Sequence, residues 1–389
     1  MREEKTTLDA VAREKLARLE REGLKRVLKS SPHGPGLTVT RDGRTLIDFC
    51  SNDYLGLSQD SAVKEAAIAA VRAYGAGAAA SRLVTGNHPL LSELETRLAA
   101  FKGAETALVF GSGYLTNLGV IPALMGEGDA IFADELAHAC LMSGMKLSGA
   151  APHVFRHNDM DDLARLLERE RHRARHALIL TDGVFSMDGD LAPLPRLMAL
   201  ARAHDAWVMV DDAHGLGVIG GGKGSAAHWG IAPDIQMGTL SKSLGAYGGY
   251  VAASRAVIDF LTSRARTFVY ATGLPPAAVG AALRALEIVE TDAARVAEPL
   301  RKARLFTAVL NLPPAESAIV PVVLGDPRAV MEASAALEQE GFLVAGIRPP
   351  TVPQGTARLR ITFAAVHRDD DVRALAAAIR RMGLLRDAA

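Results

Sequence analysis

A chain of 389 residues with 44 basic and 44 acidic side chains has a formal charge of zero, so nothing in it draws it to nucleic acid or to an anionic membrane surface. Apolar residues make up 49% of it, enough for large cores, yet no run of 18 or more is long enough to span a bilayer. Cys50 and Cys140 are too few for a disulfide framework, and Met1-Arg-Glu-Glu-Lys5 lacks the apolar centre of a secretory signal, so the expected setting is the cytoplasm.

The length exceeds what one core organises. Three parts are expected: an N-terminal helical arm and β segment over 1–50, a large domain over 51–292, and a smaller α+β domain over 293–389. From about Leu8 to Leu28 apolar residues recur at helical spacing among Lys, Arg and Glu, which predicts an amphipathic arm of the kind that packs on a partner subunit. The turn Ser31-Pro-His-Gly-Pro-Gly36 follows, then a β pair over Leu37–Thr40 and Thr45–Phe49. Helical patterns next alternate with short apolar runs: Ala107–Phe110, Asp129–Phe132, His176–Leu180, Trp207–Val210, Asp234–Met237 and Gly249–Ala252. Strands buried on both faces read this way, and the alternation predicts an α/β fold with a mainly parallel sheet. A helix over about Pro276–Arg295 leads out. Beyond it come strands at Ile319–Leu324, Leu343–Ile347 and Arg358–Thr362, with helices over Arg328–Glu340 and from about Asp369.

The chemistry is carried by Gly238-Thr-Leu-Ser-Lys242, a short way beyond Val208-Met-Val-Asp-Asp-Ala-His214. A lysine amine can condense with the aldehyde of pyridoxal 5'-phosphate (PLP) once its surroundings lower its pKa, and Lys242 is the candidate. An aspartate on the pyridine nitrogen keeps the ring an electron sink. At roughly 4 Å and an effective dielectric of about 20, that pair is worth about 4 kcal/mol. Asp211 is placed for it, with Asp212 as the alternative. His214, three residues on, can reach the phenolic oxygen, and Thr239 the phosphate. Gly111-Ser-Gly-Tyr114 joins a strand to a helix beginning near Leu115, which aims backbone N–H groups at an anion. His138 can stack on a flat ring. Asp182 and Ser186, in Thr181-Asp-Gly-Val-Phe-Ser-Met-Asp-Gly189, follow another strand, where ligand crevices of parallel sheets lie. Arg348 and Arg360 flank Pro349-Pro-Thr-Val-Pro353, and either guanidinium suits a carboxylate.

Two literal motifs fail on their surroundings. Gly215-Leu-Gly217-Val-Ile-Gly220 spells the dinucleotide fingerprint of a nicotinamide dehydrogenase, but Gly220-Gly-Gly-Lys-Gly-Ser225 cannot open the helix it requires. The near P-loop ending Gly222-Lys223 has Gly224 where a hydroxyl should hold magnesium. The segment reads as a flexible loop.

These strings, with Asn52-Asp-Tyr-Leu-Gly-Leu57, occur in the order found in the α-oxoamine synthases, which the chain resembles over nearly its whole length. The resemblance implies the aspartate-aminotransferase fold (PLP fold type I) with a seven-stranded sheet, and PLP as cofactor. It implies Lys242 as the attachment lysine, Asp211 on the pyridine nitrogen, and His214 with Ser186 near the phenolic oxygen. His138 would stack on the ring, Gly113 and Tyr114 lie around the cofactor, and Thr239 hold the phosphate. Arg360 matches a carboxylate-binding arginine, and Arg26 and Thr351 match positions for the acyl substrate; Asn52 and Arg348 join this substrate set. Thr272 matches a residue that reaches the phosphate from the neighbouring subunit of a homodimer. The chain departs from relatives at Ala271, often serine, and at Ala78-Ala-Ala80, often glycine-rich. Ile347-Arg-Pro-Pro-Thr-Val-Pro353 and Gly355-Thr-Ala-Arg-Leu-Arg-Ile361 resemble the branch that joins L-alanine to a pimeloyl thioester, on coenzyme A (pimeloyl-CoA) or an acyl carrier protein (pimeloyl-ACP). The competing expectations are a glycine-using sibling and an aminotransferase of the same fold.

Overall fold

The computed structural model describes residues 7–22 and 24–385. The opening Met1–Lys5 stretch and the outermost ends of the first and third expected parts lie outside the described residues, as does Gly23 of the Gly23-Leu-Lys-Arg26 string. In chain order the strands are β1 His33–Gly34, β2 Thr38–Arg41, β3 Arg44–Asp48, β4 Thr106–Phe110, β5 Ala130–Asp134, β6 Ala151–Phe155 and β7 Ala177–Asp182. They continue with β8 Trp207–Asp211, β9 Ile235–Thr239, β10 Gly249–Ala253, β11 Ile319–Gly325, β12 Phe342–Leu343, β13 Ala345–Ile347 and β14 Ala357–Thr362.

Seven of these form the central sheet in the order β4-β10-β9-β8-β7-β5-β6. β10 runs antiparallel to both its neighbours, and the other pairings are parallel. Every residue of β5, β7, β9 and β10 is buried, because helices cover both faces of the sheet. The apolar runs therefore located six of the seven strands. The seventh, β6, escaped because it is an edge strand: Ala-Pro-His-Val-Phe is largely exposed, and its proline is tolerated only where no further strand pairs.

The arm helix runs over Leu8–Arg21 and stops two turns short of the expected end; Leu24 and Lys25 both turn their N–H groups back onto the Leu19 carbonyl. None of its residues is buried within this chain. The helix leading out of the large sheet covers Pro276–Thr291, where Asp292 leaves helical geometry and caps a second, unanticipated helix, Ala293–Leu310, by accepting from Arg295 N at 2.9 Å. The strand expected over Leu343–Ile347 divides at Val344 between two sheets: β12 pairs with β3, and β13 with β14. The three-part division at residues 50 and 292 remains a proposal. The N-terminal strands lie with the C-terminal unit through β3 and β12, and Phe49 sits in the same core as Phe306, Phe342 and Phe363.

The glycine-rich segment after β8 is a compact turn with Leu216, Val218, Ile219 and Gly222 buried, where a flexible loop was expected. Its tightness has a cause. A side chain at Gly224, which has φ +97°, would overlap the Asp212 carboxylate. Among the described residues, no helix is long and apolar enough to cross a membrane, and no cluster of side chains is arranged for a metal ion.

Candidate active site

Parallel strands deliver their C-terminal residues to one rim, and the register sets Asp182 of β7 directly beside Asp211 of β8. Asp211 turns into the site. Its Oδ2 accepts from Asn117 Nδ2 at 2.7 Å, with Cys140 Sγ at 4.0 Å, and its Oδ1 accepts from Ala213 N at 3.1 Å. The next residue points the other way. Asp212 pairs with Lys102 Nζ at 3.2 Å and accepts from Ser225 N, all of it buried. Of the two candidate aspartates, Asp211 alone faces Lys242's rim.

Lys242 Nζ lies 2.7 Å from His214 Nε2, whose Nδ1 is 2.6 Å from the Tyr54 hydroxyl. Tyr54 in turn donates to Asn52 Oδ1 at 3.2 Å, and Arg360 Nη2 donates to the same oxygen at 3.2 Å. One assignment of protons satisfies this chain: Lys242 donates to Nε2, Nδ1–H donates to Tyr54, and Tyr54 donates to Asn52. Burial drives His214 well below its usual pKa, assisted by the Lys242 charge, so the ring is neutral as the chain requires. Burial also lowers Lys242 to about 8, against the charges of Asp211 and Asp182, which raise it. Asp182 is pushed well above the ordinary carboxylate range by burial and then by Asp211; its Oδ2 accepts from His138 N at 2.7 Å.

His138 caps the helix Ala139–Ser148, its Nδ1 accepting from Cys140 N at 3.2 Å and lying 2.7 Å from Cys140 Sγ. Burial lowers its pKa. Ser112 caps the helix Gly113–Leu124, which therefore begins two residues earlier than expected. Its first N–H groups, on Gly113 and Tyr114, have no intrahelical acceptor. A side chain at Gly113 would press on Met237 and Thr239, so the glycine lets that helix end approach the tip of β9. Thr239 Oγ1 is anchored on the Gly248 carbonyl at 2.9 Å.

Two cavities open here. One, of about 520 Å³, is lined by His138, Phe185, Ser186, Asp188 and Thr351; the other, of about 570 Å³, by Leu16, Arg26, Met331, Arg348 and Thr351. Pro350 and Thr351 belong to both walls. Arg360 reaches across from β14 to the Ser186 carbonyl, and Arg358 forms an ion pair with Asp188.

The expected residues thus fall into groups. Lys242, His214, Asn52 and Arg360 form one connected chain, Asp211 and His138 meet through Cys140, and Ser186 joins through Arg360. Gly113 and Thr239 adjoin at the helix end. Arg26 and Arg348 line the second cavity instead. Thr272 is exposed, paired with Ser81, and among the described residues hydrogen-bonds to none of these groups.

The family model for aminotransferase class I and II matches residues 44–379. The 8-amino-7-oxononanoate synthase of Maricaulis maris is 59% identical over 376 residues, 96% of this chain and 96% of that one. The chain belongs to the 8-amino-7-oxononanoate synthases. The solved synthase of that name from Francisella tularensis superposes with a TM-score of 0.75 at 26% identity, over 87% of this chain and 98% of that one. Serine palmitoyltransferase from S. paucimobilis, solved with a PLP–myriocin adduct bound, superposes at TM-score 0.89 and 29% identity over 99% of this chain and 100% of its own.

Asn117, Cys140 and Tyr54 were not singled out as site residues in the sequence, although they bond to Asp211, His138 and His214 respectively. Tyr54 lay inside a quoted string. Asn117 had one signal: an amide in an otherwise apolar helix, one turn after Gly113. Leaving its Oδ1 buried without a partner costs about 1–3 kcal/mol, which a packing residue would not incur.

Proposed function

We propose that this enzyme condenses L-alanine with a pimeloyl thioester, releasing carbon dioxide and the free carrier thiol and giving 8-amino-7-oxononanoate. The observation that carries the reading is the Lys242 amine, its pKa lowered to about 8 by burial, bonded to a neutral His214 on the rim that holds Asp211. The family, with relatives such as the 59%-identical Maricaulis maris synthase, supports the product.

The residues fit PLP on grounds independent of that likeness. A buried lysine, a buried carboxylate, the His138 imidazole and a helix end with free N–H groups converge on one rim. Bound there, PLP supplies an electron sink for negative charge at the α carbon of alanine. Lys242 would hold the cofactor and, once displaced by substrate, take the α proton on its free amine. Asp211 would keep the ring nitrogen protonated. His214 and Ser186 would donate toward the phenolic oxygen, and His138 would cover one ring face. The N–H groups of Gly113 and Tyr114, with Thr239, would hold the phosphate.

Arg360 would receive the alanine carboxylate, oriented for it by the Ser186 carbonyl and Asn52. Arg348, Arg26 and Thr351 would bind the acyl substrate in the second cavity, whose apolar wall suits a methylene chain and whose guanidinium groups suit anions. A homodimer would complete each site with Thr272 of the partner subunit.

Lys242→Ala tests the reading directly. Turnover and the borohydride-trapped mass on the peptide containing position 242 should both vanish while the fold persists. Retained turnover refutes the assignment. Product analysis with alanine against glycine tests the substrate: a product formed faster from glycine moves the chain to the glycine-using branch.

A further inference from the structure

Asp211 is supported from behind by a side chain that touches neither substrate cavity. Asn117 is fully buried on the helix whose first turn begins at Gly113, four residues earlier and so on the same face. Its amide donates to Asp211 Oδ2 at 2.7 Å and to Cys140 Sγ at 3.0 Å, while its own Oδ1 has no partner. Turning the amide over would set oxygen against carboxylate, so the observed orientation is the only favourable one. A leucine would fill the same space without a stranded acceptor.

We propose that Asn117 is a positioning residue for the reaction: seconded by the Cys140 thiol, it fixes the orientation of the Asp211 carboxyl group on the rim, with its remaining lone pairs free for the ring nitrogen. The inference rests on the reading of the site given above.

Two carboxyl groups in register on neighbouring buried strands cannot both ionise cheaply. The side-chain donor converges on Asp211, whereas Asp182 receives the backbone N–H of His138. The two aspartates thus have different supports, and burial raises the pKa of Asp182. Cys140 extends the arrangement, since its sulfur also lies 2.7 Å from His138 Nδ1. One rigid helix therefore carries both the phosphate seat and the amide that orients the aspartate.

The test uses the PLP-loaded dimer and follows the colour change of the bound chromophore with pH. That change reports a proton on the Lys242 nitrogen where it joins the cofactor, and a positive ring nitrogen disfavours this proton. In Asn117→Ala the midpoint should rise by about one pH unit. In the same variant kcat should fall at least about tenfold while KM for alanine stays within about threefold. Cys140→Ala should shift the midpoint the same way by less, and Cys140→Ser, which keeps a donor and an acceptor, should restore it. A role in packing alone would lower the melting temperature and leave the midpoint unmoved, and that result in loaded Asn117→Ala overturns the proposal. Should Asn117→Ala fail to fold or load, the cysteine pair decides: a Cys140→Ala midpoint equal to the wild type overturns it as well. Wild-type protein that forms no chromophore with PLP overturns the reading of the site itself, and is told apart by occurring without any substitution.

Discussion

Lys242 sets the pH response of the site. Burial outweighs the neighbouring carboxylates and brings its amine to about 8, so the reactive neutral form grows as pH rises through that value. His214 is driven far lower and stays neutral throughout, so one ionisation should govern the window. The rate at which cofactor-free protein combines with PLP should therefore climb between about pH 6.5 and 9 with its half-point near 8. A flat rate measured by stopped-flow absorbance would contradict this. Asp211→Asn should still bind PLP but slow exchange of the alanine α proton in D2O by roughly 10²–10³, the worth of the lost ion pair. An unchanged exchange rate by NMR counts against its role. Lys242, Asp211 and His214 were legible because they lie at or just beyond the ends of strands whose apolar runs announce themselves. Asn117 was not, because its one local signal, an amide in a mostly apolar helix, does not name a partner that lies 94 positions away.

The turn over residues 183–192, which presents Ser186, is pinned by His157. Its Nδ1 bonds to Asp134 Oδ1 at 3.0 Å on the tip of β5, and its Nε2 to Asp190 Oδ2 at 2.8 Å within the turn. Burial alone would lower this histidine, but hydrogen bonds to both carboxylates outweigh it and raise it to about 10. A pKa raised on folding stabilises fully below the ordinary value near 6.5 and ceases to stabilise as pH rises through about 10. His157→Gln should therefore cost about 1–2 kcal/mol in urea unfolding at pH 6, after allowance for solvent screening, and nothing near pH 10.5. An equal cost at both pH values would assign the histidine a packing role only. Elements such as β7 and β8 were readable because both their faces are buried. β6, the break at Asp292 and the division at Val344 were not, since an exposed edge, a cap and a change of sheet are set by neighbours distant in the chain.

At the scale of the whole molecule, Thr272 stands exposed beside Ser81 and, among the described residues, hydrogen-bonds to none of the candidate site groups. The family resemblance implies a twofold dimer in which each subunit's Thr272 reaches the other's phosphate seat. Complementation distinguishes that arrangement from a site built within one chain. Lys242→Ala lacks the amine, and Thr272→Glu sets a carboxylate against the phosphate, so each homodimer should be inactive. In a mixed dimer, the Lys242 of the Thr272→Glu chain would meet the intact threonine of its partner. Equal co-expression should then restore about a quarter of the wild-type activity, because half the dimers are mixed and each has one complete site. Were Thr272 to serve its own chain, that lysine would still face its own glutamate, and the mixture would stay inactive.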